Sequence, residues 1–410
     1  MKKSLAGKLN LSLILAFSSF IALGLVAGLL GVAWPSIRAT FGLPLDAVVA
    51  LLITSTIGFV VGSILASQIM IRIGVGVTLL ASNILAAGGL LGYAIAPEWW
   101  VVVLLGLLTG AAAGLIDTGL NIYVAANHGV TYMNWMHACF GIGATLGPLL
   151  MTAVLGFGLS WRYGYGVAAA LHFVLGIGFL FSIGHQSIRS MTIIRPQETS
   201  EAIRSAKPLD TLRKPIVWLS ILLFLLYTGI ESTTGQWSFS LFTESRSITP
   251  YLAGVLTSLF WGMLTLGRFV LGAAARLIGV ERLLRISMVG VVIAAVLFLF
   301  QTTLAGFFAV SLMGFSLSAI FPTLTSDTPH RVGQQHAPNT IGFQTGSASI
   351  GFAVLPGLAG VLAERIGLES LGPFLILLAI LMLLTNEIIV RVLRQGPVVI
   401  SSTYSKLTGD

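Results

Sequence analysis

Charged residues are scarce in this sequence. Asp, Glu, Lys and Arg make up 9% of its 410 residues against 56% hydrophobic ones, and the mean hydropathy is +0.96. That leaves too little polar surface to cover a water-soluble fold of this length. Cys139 is the single cysteine, so no intramolecular disulfide can form, and its place in an apolar run argues against redox chemistry. No GxxxxGK[ST] phosphate loop, HExxH pair or CxxC pair occurs, so neither ATP nor a metal is implied. Nor is there a visible nucleophile and base, and no enzyme is expected. Strands of about 10 residues alternating apolar and polar, as in an outer-membrane barrel, are also missing.

What the chain does have is one long apolar run after another. A spanning helix needs roughly 20 such residues, and twelve candidates can be placed at 11–37, 46–70, 76–96, 99–126, 131–157, 161–184, 214–242, 249–275, 282–301, 303–326, 337–363 and 370–393. The first is longer than the apolar region of about 7 to 15 residues in a secretory signal and is expected to stay as a span. Apart from Arg268, well inside a span, every Lys and Arg except Arg38, Arg162, Arg246 and Arg365 falls on one side. Cytoplasmic loops are enriched in these residues, so both termini and the central loop are expected in the cytoplasm and the protein in the cell membrane. The same bias explains the net charge of +8 without a nucleic-acid partner.

The sequence also resembles itself at an offset of about half its length. GSILASQIMIRIG from Gly62 to Gly74 matches GRFVLGAAARLIG from Gly267 to Gly279. GAAAGLI from Gly110 matches GFSLSAI from Gly314, and the spacing Gly143 to Pro148 recurs as Gly351 to Pro356. Three matches in order point to a duplicated six-helix unit. The expected organisation is an all-α membrane protein of two pseudo-symmetric six-helix bundles: 1–184, a linker at 185–213, a second bundle at 214–394 and a tail at 395–410. Gly106, Gly110 and Gly114, four apart in the fourth span, are read as helix packing.

This pattern, with its basic central loop, resembles the major facilitator superfamily. Several segments resemble its branch of fucose-permease-like sugar symporters: GLIDTGLN, MNWMHACFGIGATLGPLL, YTGIESTTGQW, SLFWGMLTLGRFVLG, IFPTLTS and GFQTGSASIGFAVLPGLAG. The resemblance implies alternating-access transport of a sugar or related solute. Two departures stand out: the turn at ASQIMIRIG has no acid, and neither has the first span, where the fucose permease looks like a two-acid design using its first and fourth helices.

Ionisable groups inside a span cost about 2.5 to 3.5 kcal/mol even on a lenient scale, so each is a functional candidate. Asp117 sits mid-span in the fourth helix with Asn121 one turn on, on the same face; it can exchange a proton, or it can be a paired structural carboxyl. Glu231 is its counterpart in the seventh span, where Gly229, Gly235 and the run Ser232, Thr233, Thr234 weaken a regular helix. Gln236 and Trp237 follow, and a carboxylate, an amide and a ring suit a sugar. The segment reads as near the outer end of its helix, so Trp237 can equally be an interface anchor. Asn134 and His137 open the fifth span; the histidine can relay protons or simply pack. Gln344 and Trp261 are cavity or core residues, and Arg268, inside the eighth span, is assigned to closure of the cytoplasmic face. Asp327 and Glu387 are expected in ion pairs at helix ends.

The resulting expectation is a monomeric secondary transporter for a small polar solute. Asp117, Glu231 and His137 would serve coupling, with Asn121, Asn134, Gln236, Trp237, Trp261 and Gln344 on the solute. No cofactor is expected. A proton is the expected coupling ion, with sodium open because Ser232 and Thr233 add oxygen ligands to the carboxylates. Efflux of drugs, metabolites or lipids is the competing transport reading, and a non-transporting sensor the competing class.

Overall fold

In hydrocarbon every backbone N–H and C=O must be satisfied within the segment, and the long apolar runs accordingly fold as helices. The computed structural model describes residues 11–128, 130–183 and 206–395. The expected tail, apart from residue 395, and most of the expected linker lie outside the described residues. The first six helices are α1 (Leu11–Phe41), α2 (Val48–Ile73), α3 (Val75–Ile95), α4 (Trp99–Asn127), α5 (Val130–Gly156) and α6 (Trp161–Ile183). A short α7 (Pro208–Leu212) precedes α8 (Pro215–Ser240), α9 (Pro250–Ile278), α10 (Val280–Leu297), α11 (Thr303–Leu317), α12 (Ile320–Val332), α13 (Ala337–Ile366) and α14 (Leu371–Gln395). No strand occurs among the described residues.

Eleven segments are long and apolar enough to cross a bilayer, with α11 and α12 together forming one of them. The twelfth expected span is α10, which falls short of that measure because Glu281, Arg282 and Arg285 crowd its first two turns. Its charges are held by neighbours: Arg285 donates to Glu387 of α14 at 2.8 Å through both Nε and Nη2. The tenth span is broken at Ser318 and Ala319, where the sequence reading had one helix. Pro322 lacks the N–H that would reach the carbonyl of Ser318.

The halves repeat in three dimensions. In the first, α1 packs with α5, α2 with α4 and α3 with α6; in the second, α8 packs with α13, α9 with α11 and α10 with α14. First pairs with fifth, second with fourth and third with sixth in both. The close approaches are in register too. A Cβ on Gly110 would overlap the carbonyl oxygen of Ser55 in α2, and one on Gly314 that of Phe260 in α9. The turns into the third helices, at Gly74 and Gly279, share φ near +85° and +82°, a region open to glycine at little cost.

The end of the molecule where α1 starts and α2 ends carries most of the basic residues and is termed the basic face; the other is the far face. At the far face the halves are closed on each other. Arg38 at the end of α1 donates to Glu244 beyond α8 at 2.6 Å, and the backbone N–H of Leu45 donates to Glu364 of α13 at 2.6 Å. Deeper in, Gly31 backs onto the carbonyl of Gly235, Gly357 onto Val49, and Gly254 onto Thr152. Among the described residues no hydrogen bond or ion pair joins the halves toward the basic face, where Asn134 and His137 of α5 are exposed. Residues 206–213, expected as linker, are folded against the second half. Ala206 N–H donates to Gln335 at 2.9 Å, and the Thr211 hydroxyl lies 3.0 Å from His336 Nδ1. Large apolar side chains such as Ile71, Phe181 and Leu304 stay exposed on the outer walls, where lipid is the solvent.

Candidate functional site

The first half contributes a cluster on α4 and α5. Asp117 and Asn121 are one turn apart, and the Asn121 amide donates to the Asp117 backbone carbonyl at 2.9 Å. That orientation turns Asn121 Oδ1 to His137 Nε2 of α5, 3.1 Å away, and a proton on Nε2 lets the imidazole donate. The Phe20 ring of α1 stands edge-on to His137 with centroids 5.3 Å apart. Ile116 and Leu120 on either side are fully buried, whereas Asp117 and Asn121 are only half-buried and His137 is exposed. The polar edge of the helix therefore faces accessible space rather than packed core. Asn134, also exposed, lies one turn nearer the basic face than His137 and is not joined to Asp117.

The second half contributes Glu231, Tyr227 and Arg268. With its last turn widened over Leu241–Ser245, the seventh span runs from Pro215 to Ser245, which puts Glu231 at its middle. The expectation of a place near the outer end is corrected: the apolar run ends early, but the helix continues through polar residues. Arg268 is also displaced from its expected role. It lies beside Glu231 and Tyr227, close enough for its charge to act on both. It lies seven residues after Trp261, two turns along the same side of α9, and Trp261 packs over Gly235 of α8. No ion pair within 4.0 Å joins Arg268 to Glu231 among the described residues, so a gap separates the two groups. The Tyr227 hydroxyl is buried between them with no hydrogen-bond partner, and Phe321 of α12 packs on its ring at 5.7 Å. The Arg268 charge also reaches His137, so it stands between the two clusters.

With the geometry of both clusters established, comparison with known proteins decides the family. The model of the Major Facilitator Superfamily matches residues 15–346. The chain belongs to that superfamily. Among curated superfamily relatives, the glucose/mannose transporter GlcP of Bacillus subtilis (strain 168) is 23% identical over 402 residues, covering 95% of this chain and 97% of GlcP. The sodium-dependent glucose transporter 1A of Mus musculus is 23% identical over 347 residues, covering 75% and 79%. The crystal structure of the nucleoside transporter NupG superposes with a TM-score of 0.71 at 16% identity, over 94% of this chain and 100% of that one; at that identity the match shows the fold alone. This member of the superfamily is thus a multi-pass membrane transporter and not an enzyme.

Within the superfamily fold, the remaining expected site residues are buried in helix packing. Trp237 is 1% exposed: its indole donates to the Pro356 carbonyl at 2.8 Å and its ring covers Gly360. It therefore fills the closed far side instead of anchoring at an interface. Trp261 packs over Gly235 and edge-on to Phe260. Gln344 accepts from Thr328 at 3.1 Å and is 2% exposed. Gln236 is buried beside the α1 contact at Gly31, with its amide nitrogen unpartnered. Asp327 and Glu387 are paired at helix ends, with Arg331 at 2.7 Å and Arg285 at 2.8 Å. Tyr227 was missed by the sequence reading. Its signal was the spacing of four to Glu231, the same spacing that joined Asp117 to Asn121.

Proposed function

We propose that this transporter carries a monosaccharide or a related polyol by alternating access, coupled to a proton, in the cell membrane with both termini cytoplasmic. One observation carries the reading. A carboxylate from each half, Asp117 and Glu231, sits half-buried inside a span, in a fold whose halves are tied by polar contacts at the far face and, among the described residues, by none toward the basic face. Each has hydrogen-bonding neighbours suited to hydroxyl groups: Asn121 and His137 on one wall, Tyr227 and Arg268 on the other. Charged side chains at this depth are costly unless a path or partner stabilises them, and Glu231 lacks a closed ion pair. Relatives described as glucose and glucose/mannose transporters favour a sugar. The two halves would rock about the site, exposing it to one face at a time.

Uptake of labelled glucose and mannose into proteoliposomes tests this directly. An imposed inward proton gradient should drive accumulation in the parent protein. Asp117→Asn should abolish that accumulation and retain exchange of labelled for unlabelled sugar. Gradient-driven accumulation that survives in Asp117→Asn rejects the coupling role, and accumulation that follows a sodium gradient instead rejects the proton.

A further inference from the structure

The seam between the halves has a second feature on its outer side. Helices α5 and α9, one from each half, touch along a line from Thr152 against Gly254, through Ser258 donating to the Thr145 carbonyl at 2.7 Å, to Gly141 against Thr265. Beside that line, facing outward, lies a groove of about 320 Å³. Thr145, Gly262 and Thr265 form its floor, with Ile142 and Leu146 on one wall and Leu266 and Phe269 on the other. All four wall residues are among the exposed large apolar side chains.

The floor offers no free hydrogen-bond donor. Thr145 and Thr265 donate their hydroxyl protons back to Gly141 and Trp261 of their own helices, both at 2.8 Å, so neither has a proton left to give. A sugar or water would find no donor there, and walls of hydrocarbon. Gly262 is twelve residues into α9, about 18 Å along its axis at 1.5 Å per residue, which sets the groove at the depth of lipid tails and far from headgroups. At that depth the hydrophobic effect gives no preference, because lipid is as apolar as the groove. A gap there does lose dispersion contacts, so a chain that fits is held by packing alone.

We propose that this groove binds one acyl chain of a bilayer phospholipid, lodged between the two halves on the α5–α9 side. The occupant is a tail and not a headgroup or the transported solute, because depth, exposure and the satisfied hydroxyls all select for plain hydrocarbon.

The test uses the full chain reconstituted in phosphatidylcholine vesicles doped with a phosphatidylcholine that carries a diazirine near the end of one acyl chain. After irradiation, segments 142–146 and 262–269 should take several-fold more adduct than the lipid-facing segment 173–181 of α6. Gly262→Leu should bring the excess down to the α6 level. A Cβ at Gly262 meets only Thr145, at 3.5 Å, so the backbone accommodates the change; a matching thermal midpoint confirms folding. If Gly262→Leu does not fold, an Ile142→Trp variant fills the groove from its wall and should give the same loss. Labelling of the groove no higher than that of α6, or an excess unchanged by filling the groove, overturns the proposal in favour of ordinary lipid contact.

Discussion

Two polar contacts join the halves at the rim of the far face, and their removal should shift the transporter between its states by a calculable amount. Arg38 and Glu244 are 2.6 Å apart with side chains 21% and 29% exposed, so the pair is partly screened and contributes about 1 kcal/mol. The Leu45 N–H donates to the Glu364 side chain at 2.6 Å, a bond of about 1.5 kcal/mol. Both are lost when the far face opens. Arg38→Gln with Glu364→Ala should therefore favour opening by about 2.5 kcal/mol, roughly 50- to 100-fold in the equilibrium. Thr152 is a suitable reporter, because it is 7% exposed, faces Gly254 across the closed seam and has no hydrogen bond to lose. With Cys139→Ser removing the native thiol, Thr152→Cys leaves one cysteine for a water-soluble maleimide. If opening and closing are fast relative to labelling, the rate follows the open population and should rise by that factor in the double variant, by less in each single one. A rate unchanged within twofold would refute the idea that these contacts hold the far face shut.

Three further outcomes follow from the same geometry. Tyr227→Phe removes a hydroxyl without a partner, so the thermal midpoint should stay where it is while the half-saturating sugar concentration rises; a structural hydroxyl would instead cost about 1 kcal/mol of stability. Gly110→Val sets a side chain against the Ser55 carbonyl and should destabilise by about 1 to 3 kcal/mol or more, with Gly314→Val behaving alike, both read by thermal unfolding in detergent. Burial, and then the nearby Lys214 charge, hold the His336 imidazole below its ordinary value, with Asp210 opposing. Detached, it takes up a proton that the docked form resists, so the hold on α7 is full above about pH 6.5 and weakens as pH falls. Amide exchange across 207–212, corrected for its intrinsic rate, should quicken between pH 7.5 and 5.5, and His336→Gln should flatten the trend.

Much of the architecture was legible because the bilayer imposes it. Runs of apolar residues had to be helices, and glycines repeated at offsets of 204 to 208 had to mark the same close approaches twice. The site was legible only where its members share a helix. Asp117 and Asn121 declare their common face by spacing, but nothing in the sequence says that His137 meets Asn121, or that Arg268 turns to Glu231 and not to the basic face. Those are properties of how α5 and α9 are rotated, and rotation is set by the small residues at their contacts. Trp261, Trp237 and Gln344 misled for the same reason. Their chemistry suits a sugar, but each is turned into the packing of its own half, against Gly235, Gly360 and Thr328 respectively.

The duplication also shows where the chemistry parted from the fold. In register with Asp117 stands Phe321, in register with Glu231 stands Ala27, and in register with Arg268 stands Ser63. Glycines at helix contacts recur in both halves, whereas none of these three charges does. Phe321 even packs on Tyr227, so the position that carries a carboxylate in one half supports the opposing cluster in the other. Two symmetric bundles with symmetric charges would place like charges across the seam and repel as the halves close. Here the Asp117 and His137 wall meets a wall on which Glu231 is offset by Arg268. Under the proposed rocking motion, the asymmetry lets the walls approach without an uncompensated charge.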